Sequence, residues 1–192
     1  MKKLLVFILC LALCMPALAM AEAAETTELY TIDFGTFTMD LAGDDYYEVA
    51  DEMVSNELFA IIYPHYDPNA TTFDNINIVW CEEDAAAEIT LYGAEEYAKL
   101  VQDMAAPQFE SMGIQMSNPQ VLSAIMEDNI YVSITYSELD YTAAGVELVT
   151  PQYQMQVYFC FGEAGTYIFT FTAISMEQLE AISAYVDGVF FK

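Results

Sequence analysis

Gln152 to Phe161, QYQMQVYFCF, and Thr166 to Ile174, TYIFTFTAI, flank the four residues Gly162-Glu163-Ala164-Gly165. Both runs are rich in Val, Thr and aromatic residues, which suit a pleated, half-buried surface, and they predict a hairpin around the glycine-bearing connection. Immediately after it, Ser175 offers a capping hydroxyl and Gln178 completes a capping box. The apolar positions Leu179, Ile182 and Val186 then mark a terminal helix. Toward the N-terminus, residues 139 to 151 form a connection. It is preceded by two further strands, Gln120 to Met126 and Ile130 to Glu138, that turn at Glu127-Asp128-Asn129.

Before these strands the period becomes helical. From Ala94 to Met112 the residues Tyr97, Leu100, Val101, Met104, Gln108 and Met112 form one stripe, with Glu95, Glu96, Lys99 and Asp103 opposite it. Pro107 lacks the amide that would bond to Asp103, which predicts a kink or interruption, and Gly113 ends the helix. Asn75 to Glu82, NINIVWCE, is the clearest strand, with Ile76, Ile78 and Trp80 on one face and Asn77, Val79 and Cys81 on the other. Glu57 to Tyr63 reads as a buried strand stopped by Pro64, and Pro64 to Asn75 as a loop. Asp44 to Ser55 is an acidic turn or short helix. Leu29 to Leu41 is either two strands joined at Gly35 or one bulged strand. The order strands, helix, strands, helix predicts an α+β domain: an antiparallel sheet of about six to seven strands packed with two main helices.

The chain has 192 residues, with 30 acidic and four basic side chains; the basic ones are Lys2, Lys3, Lys99 and Lys192, and there is no arginine. Lys2 and Lys3 precede an apolar run from Leu4 to Met15, then Pro16 and the small-residue stretch Ala17 to Ala21. A run of about a dozen residues is too short to span a bilayer and reads as a secretory signal peptide over 1–21. Cleavage fits after Ala19 or after Ala21, and Ala21 is the preferred site. Leu9 and Leu13 precede Cys10 and Cys14, which does not fit lipidation. Residues 22–28 are a polar, disordered lead-in, and 29–192 form a single domain. Removing the signal leaves two lysines against 30 acids, a net charge of -28. Such a surface repels nucleic acid and anionic lipid, so the expected partners exclude both, and no membrane insertion follows export. Apolar residues make up 56% of the chain, so a core forms despite the charge.

Beyond the signal only Cys81 and Cys160 remain. In an oxidising exterior they either pair, contributing about 4 to 5 kcal/mol by the chain-entropy estimate, or stay as two buried thiols. His65 is the one histidine, in Tyr63-Pro64-His65-Tyr66-Asp67-Pro68-Asn69, where Asp67 is the candidate to orient it as a general base. No Gly-x-Ser-x-Gly elbow or zinc motif accompanies it. Asp67, Asn69 and Thr71 imitate the start of a calcium loop, without its glycine or closing glutamate. Asp44, Asp45, Glu48, Asp51 and Glu52 form one acidic cluster, and Glu82, Glu83 and Asp84 another. No cofactor is expected, and calcium is the alternative that these oxygen-rich clusters allow. Tyr46, Tyr47, Tyr63, Tyr66, Tyr131, Tyr136, Tyr141, Tyr153 and Tyr158 serve sheet packing or a recognition surface for peptides or glycans.

Several strings resemble the PsbP/Mog-type family, which includes PsbP-like and DcrB-like proteins. They are Phe73-Asp74-Asn75-Ile76-Asn77-Ile78-Val79, the helix containing Glu95-Glu96-Tyr97, the late run from Tyr153-Gln154 to Phe169-Thr170-Phe171-Thr172-Ala173, and the terminal Asp187-Gly188-Val189-Phe190-Phe191. The resemblance covers residues 30 to 192. It implies an α/β/α sandwich closed by a C-terminal strand, with an accessory or binding role and no common chemistry. The chain departs from that family in lacking basic residues. The expectation is an exported, non-catalytic binding protein whose partner is a protein, peptide or glycan. The alternatives are a carboxylate-dependent hydrolase of neutral or cationic substrates and a calcium-binding protein.

Overall fold

The computed structural model describes residues 29–49, 58–69 and 74–192. The signal segment, the lead-in, the acids Asp51 and Glu52, and Thr71 lie outside these. In chain order the elements are β1 (Leu29–Asp33), β2 (Phe37–Ala42), β3 (Tyr46–Val49), β4 (Leu58–Tyr63), β5 (Asn75–Cys81), α1 (Ala85–Tyr92) and α2 (Ala94–Ser111). They continue with β6 (Gln115–Glu127), β7 (Ile130–Asp140), β8 (Val149–Cys160), β9 (Thr166–Ala173), α3 (Met176–Ser183) and β10 (Val189–Phe191).

Seven strands form one antiparallel sheet in the order β3-β4-β5-β9-β8-β7-β6, and β1-β2-β10 form a second, smaller one. The α+β class holds, with a third helix and a second sheet added to the expectation. Side-chain alternation assigns the two faces of the large sheet. On one, Ile76, Ile78, Met155, Val157, Tyr167, Phe169 and Phe171 pack with Phe37, Met39 and Leu41 of β2 and Leu179 and Ile182 of α3. On the other, Val79, Tyr131, Tyr158 and Ile168 pack beneath Ala85, Ile89, Tyr97 and Val101 of the first two helices. β9 is buried along its whole length.

The hairpin that set the fold forms as read, with Cys160 opposite Thr166 and Tyr153 opposite Ala173. Gly165 is required there: its φ is +100°, and a Cβ would lie 2.5 Å from the Cys81 carbonyl oxygen and the Trp80 ring. The Asp128-Asn129 turn has φ of +46° and +64°. Both values are positive, as a two-residue hairpin needs to match strand twist. Ser175 caps α3 by accepting from the Gln178 amide at 3.2 Å, and its hydroxyl donates to Gln178 Oε1 at 2.8 Å. Leu29 to Leu41 resolves into β1 and β2, paired from Asp33 opposite Thr38 to Leu29 opposite Ala42.

Four elements differ from the reading. Helix α1 directly follows the Glu82-Glu83-Asp84 cluster, over residues to which the reading assigned no element. Asp84 caps it by accepting from the Ala86 amide at 3.0 Å, and Thr166 Oγ1 accepts from the Ala85 amide at 3.2 Å. α2 runs through Pro107 as one helix. Its buried stripe is Tyr97, Ala98, Val101, Ala105 and Phe109, because small alanines let the helix sit close to the sheet while Leu100 and Met104 fall at its margins. β6 starts at Gln115, five residues early, and passes Pro119 through irregular pairing between Ser117 and Gln120. Tyr46 to Val49, read as turn or helix, is a strand paired with β4.

Candidate functional site

His65 closes the turn after β4 with a left-handed backbone, φ +49°. Its Nδ1 lies 2.9 Å from Asp44 Oδ2, not beside Asp67, and this contact lowers the Asp44 carboxyl below its ordinary range. Asp67 instead folds its own loop, with Oδ1 accepting from the Asn69 amide at 2.8 Å and from Asn69 Nδ2 at 3.1 Å. The candidate orientation of His65 by Asp67 is therefore corrected: Asp44 takes that place, and Asp67 with Asn69 folds the other half of the loop. Antiparallel pairing of β3 with β4 is what brings Asp44, at the start of one strand, to His65, at the end of the other.

Asp44, Asp45 and His65 present ligand atoms within 4.8 Å of one another. Asp45, however, is already committed. Oδ2 accepts from the Ala42 amide at 2.6 Å, Oδ1 from the His65 amide at 3.0 Å, and both oxygens receive the Tyr185 hydroxyl at 2.8 and 2.9 Å. This carboxylate ties the β2 end, the His65 turn and the segment after α3 together. Burial and the Asp45 contact together raise the Tyr185 hydroxyl far above its usual value. The His65 side chain is 63% exposed, so the cluster sits on an open turn. Nearby, burial raises the Asp74 carboxyl, with a smaller opposing effect from the Ile174 amide and from His65.

The tyrosines divide. Tyr131 and Tyr158 belong to the core with Tyr97, their rings 5.0 to 6.1 Å apart in edge-to-face contacts. Tyr46, Tyr63 and Tyr66 cluster beside the His65 turn, with centroids 5.3 to 6.1 Å apart. Tyr136 and Tyr153 pair at 5.0 Å on the face away from α1 and α2. Cys81 and Cys160 both lie opposite Thr166, on the two strands that flank β9. Two strand spacings are about 9.6 Å, beyond disulfide reach, and of the two alternatives the thiols stay unpaired, Cys160 buried and Cys81 partly so. Burial raises the Cys160 thiol.

What the sequence reading passed over is a band of neutral polar side chains on the helix-facing side of the sheet. Cross-strand register aligns Asn75, Thr172, Gln154 and Thr135 in one row and Asn77, Thr170, Gln156 and Ser133 in the next. Asn77 Nδ2 donates to Asn75 Oδ1 at 3.0 Å, and Gln154 Nε2 to Thr172 Oγ1 at 3.4 Å. Asn77 Oδ1 is buried without a hydrogen-bond partner. The band ends at a cleft of about 20 Å³ beside α2, where Gln102, Thr135, Ser137, Gln152, Gln154 and Gln156 converge. The signal was in the strands themselves: Gln152, Gln154 and Gln156, Asn75 and Asn77, and Thr170 and Thr172 recur with period two in otherwise apolar runs.

No protein-family model matches the sequence, and no curated protein matches it. Solved structures do. A cyanobacterial PsbP (CyanoP) from Synechocystis superposes with a TM-score of 0.54 at 9% identity, covering 91% of this chain and 99% of that one. The Ran-binding protein Mog1p of Saccharomyces cerevisiae gives 0.51 at 8% identity, covering 86% and 96%. Sequence identity this low carries the fold alone. The α1 and α2 layer, the seven-stranded sheet and the layer closed by β10 are thus the PsbP/Mog-type fold.

Proposed function

We propose that this chain is an exported, non-catalytic binding protein whose partner is another protein. The observation that carries the reading is the chemistry of the cleft beside α2. Amides and hydroxyls from the sheet and Gln102 face it across from the apolar Ala98, Val101, Ala105, Phe109 and Met116, with no carboxyl, imidazole or thiol among the lining residues, so it can hold and orient hydrogen-bonding groups but has no side chain suited to proton transfer near neutral pH. Its volume also holds about one water, against the several hundred Å³ common in small-molecule sites. The acid and histidine chemistry that a hydrolase needs is gathered elsewhere, on the open turn of Asp44 and His65, where solvent screens it and Asp45 is engaged in structure. The signal-like N-terminal segment supports export, and the acid excess directs the choice away from nucleic acid and anionic membrane.

The test is turnover by the mature protein of neutral and cationic chromogenic esters, amides and glycosides. The expected result is none above buffer. Turnover that is lost in His65→Ala would replace this reading with the hydrolase.

A further inference from the structure

We infer that the outer hairpin β6–β7 is a docking surface for an extended, lysine- or arginine-bearing segment of a partner protein, which adds to β6 as an eighth strand. The inference rests on the binding reading above and names its partner's chemistry. Three observations converge on it. First, β6 ends the seven-stranded sheet, and among the described residues no strand pairs with its outer side. That side offers a row of backbone donors and acceptors to an incoming strand. Pro119 and two irregularities interrupt the first half of β6, but Ser123 to Glu127 pairs regularly with Ile134 to Ile130, so its far half is a continuous template.

Second, the sheet extends past its second layer. β7 alternates without exception, Tyr131, Ser133, Thr135, Ser137 and Leu139 being buried while Val132, Ile134, Tyr136 and Glu138 keep a minor part of their surface exposed. α3 and the small sheet cover β8 and β9, and Val132 and Ile134 touch only the margin of that core. Ile125, directly opposite Val132, is 59% exposed, and Ile130 is 40% exposed. An apolar strip therefore lies beside the open edge, where alternate side chains of an added strand would reach it.

Third, the charge selects the occupant. Glu127 and Asp128 close the hairpin, Glu138 stands at its other end, and no basic residue occurs between Lys99 and Lys192. Lys99 is held by Glu95 and Glu96, and Lys192 by Asp33. Positive charge must come from outside. A second copy would bring a further net charge of -28 to the same edge, and self-repulsion disfavours it. A basic strand is attracted instead: with its apolar residues on the Ile125 strip, its alternate cations lie on the opposite face of the added strand and are drawn by the acid excess of the surface as a whole.

The experiment is fluorescence anisotropy of the mature protein with a labelled ten-residue peptide of alternating lysine and valine, and with its glutamate counterpart. The lysine peptide is expected to bind and to weaken by about tenfold or more between roughly 20 and 300 mM salt; the glutamate peptide is expected not to bind. Ile125→Lys should weaken binding at least about tenfold, while Leu91→Lys, the same charge change at an exposed site on α1, should weaken it less than about twofold. Equal losses in the two variants would mean diffuse charge attraction and overturn the site. Sedimentation as a dimer abolished by Ile125→Lys would make a second copy the occupant and equally overturn it. Absence of peptide binding refutes this docking surface alone, whereas His65-dependent turnover refutes the binding reading beneath it.

Discussion

β9 stands at the centre of the seven-stranded sheet and β6 at its edge, three positions apart, and the two are finished in opposite ways. Every residue of β9 is buried, with Tyr167, Phe169 and Phe171 against the small sheet and α3 and Ile168 beneath α1 and α2. Of the 13 residues of β6, none is fully buried. The difference teaches where stability resides and where the sheet is left open. The centre carries the apolar burial that offsets chain entropy. The hairpin β6–β7 is held by pairing and one covered face, so its other face is available at little cost to the fold.

The largest expected effect breaks the comparison at its strong end. Phe169→Ala removes a fully buried ring that contacts Phe37 and Phe159, and should cost about 3 to 5 kcal/mol in chemical denaturation. Ile125→Ala at the weak end should stay within about 0.5 kcal/mol. Comparable losses would mean that the Ile125 strip is covered and the two regions are alike. Next comes Gly165→Ala at the mouth of the β8–β9 hairpin, where backbone strain and the 2.5 Å approach to Cys81 and Trp80 should cost about 1 to 3 kcal/mol. The melting temperature should fall while the β6–β7 face keeps its peptide affinity.

The smallest effects sharpen the electrostatics at the sheet's other edge. Asp44 is lowered by His65, so its contribution is favourable above the ordinary carboxylate range and is lost as pH falls through its lowered folded value. Asp74 is raised by burial, so its ionisation opposes folding at neutral pH and that penalty disappears as pH falls through its raised folded value. Asp44→Asn should therefore slightly lower the melting temperature at pH 7, and Asp74→Asn should slightly raise it. Thermal melts from pH 7 downward should show both differences vanish, that of Asp74→Asn at the higher pH. The same sign for both variants would contradict the assigned environments.

The elements read correctly were those whose residues carry their own period. β5, α2 and the β8–β9 hairpin each alternate or recur over seven or more positions, and Ser175 marks the α3 start by its own hydroxyl. α1 escaped because Ala85 to Tyr92 is nearly apolar all round, so no stripe distinguishes it, and its cap, Asp84, was hidden among acids. β3 escaped because Tyr46 to Val49 is exposed at an edge and lacks strand-like alternation of polarity. At the site, local sequence suggested Asp67 for His65, but tertiary pairing delivered Asp44 from 21 residues away. Cys81 and Cys160 failed to meet because β9 lies between their strands in the large sheet. No local pattern encodes strand order. The neutral polar band was legible residue by residue, yet only the register of four strands makes it one surface.

Hydrogen exchange of the mature protein, read strand by strand with and without the lysine–valine peptide, tests the central claim most directly. In the free protein the amides of β9 should exchange slowest and those of Ser123 to Glu127 among the fastest in the sheet, and peptide should slow the latter selectively. Ser123 to Glu127 amides already as protected as β9 in the free protein, or peptide protection centred on the His65 turn, would contradict an open edge at β6.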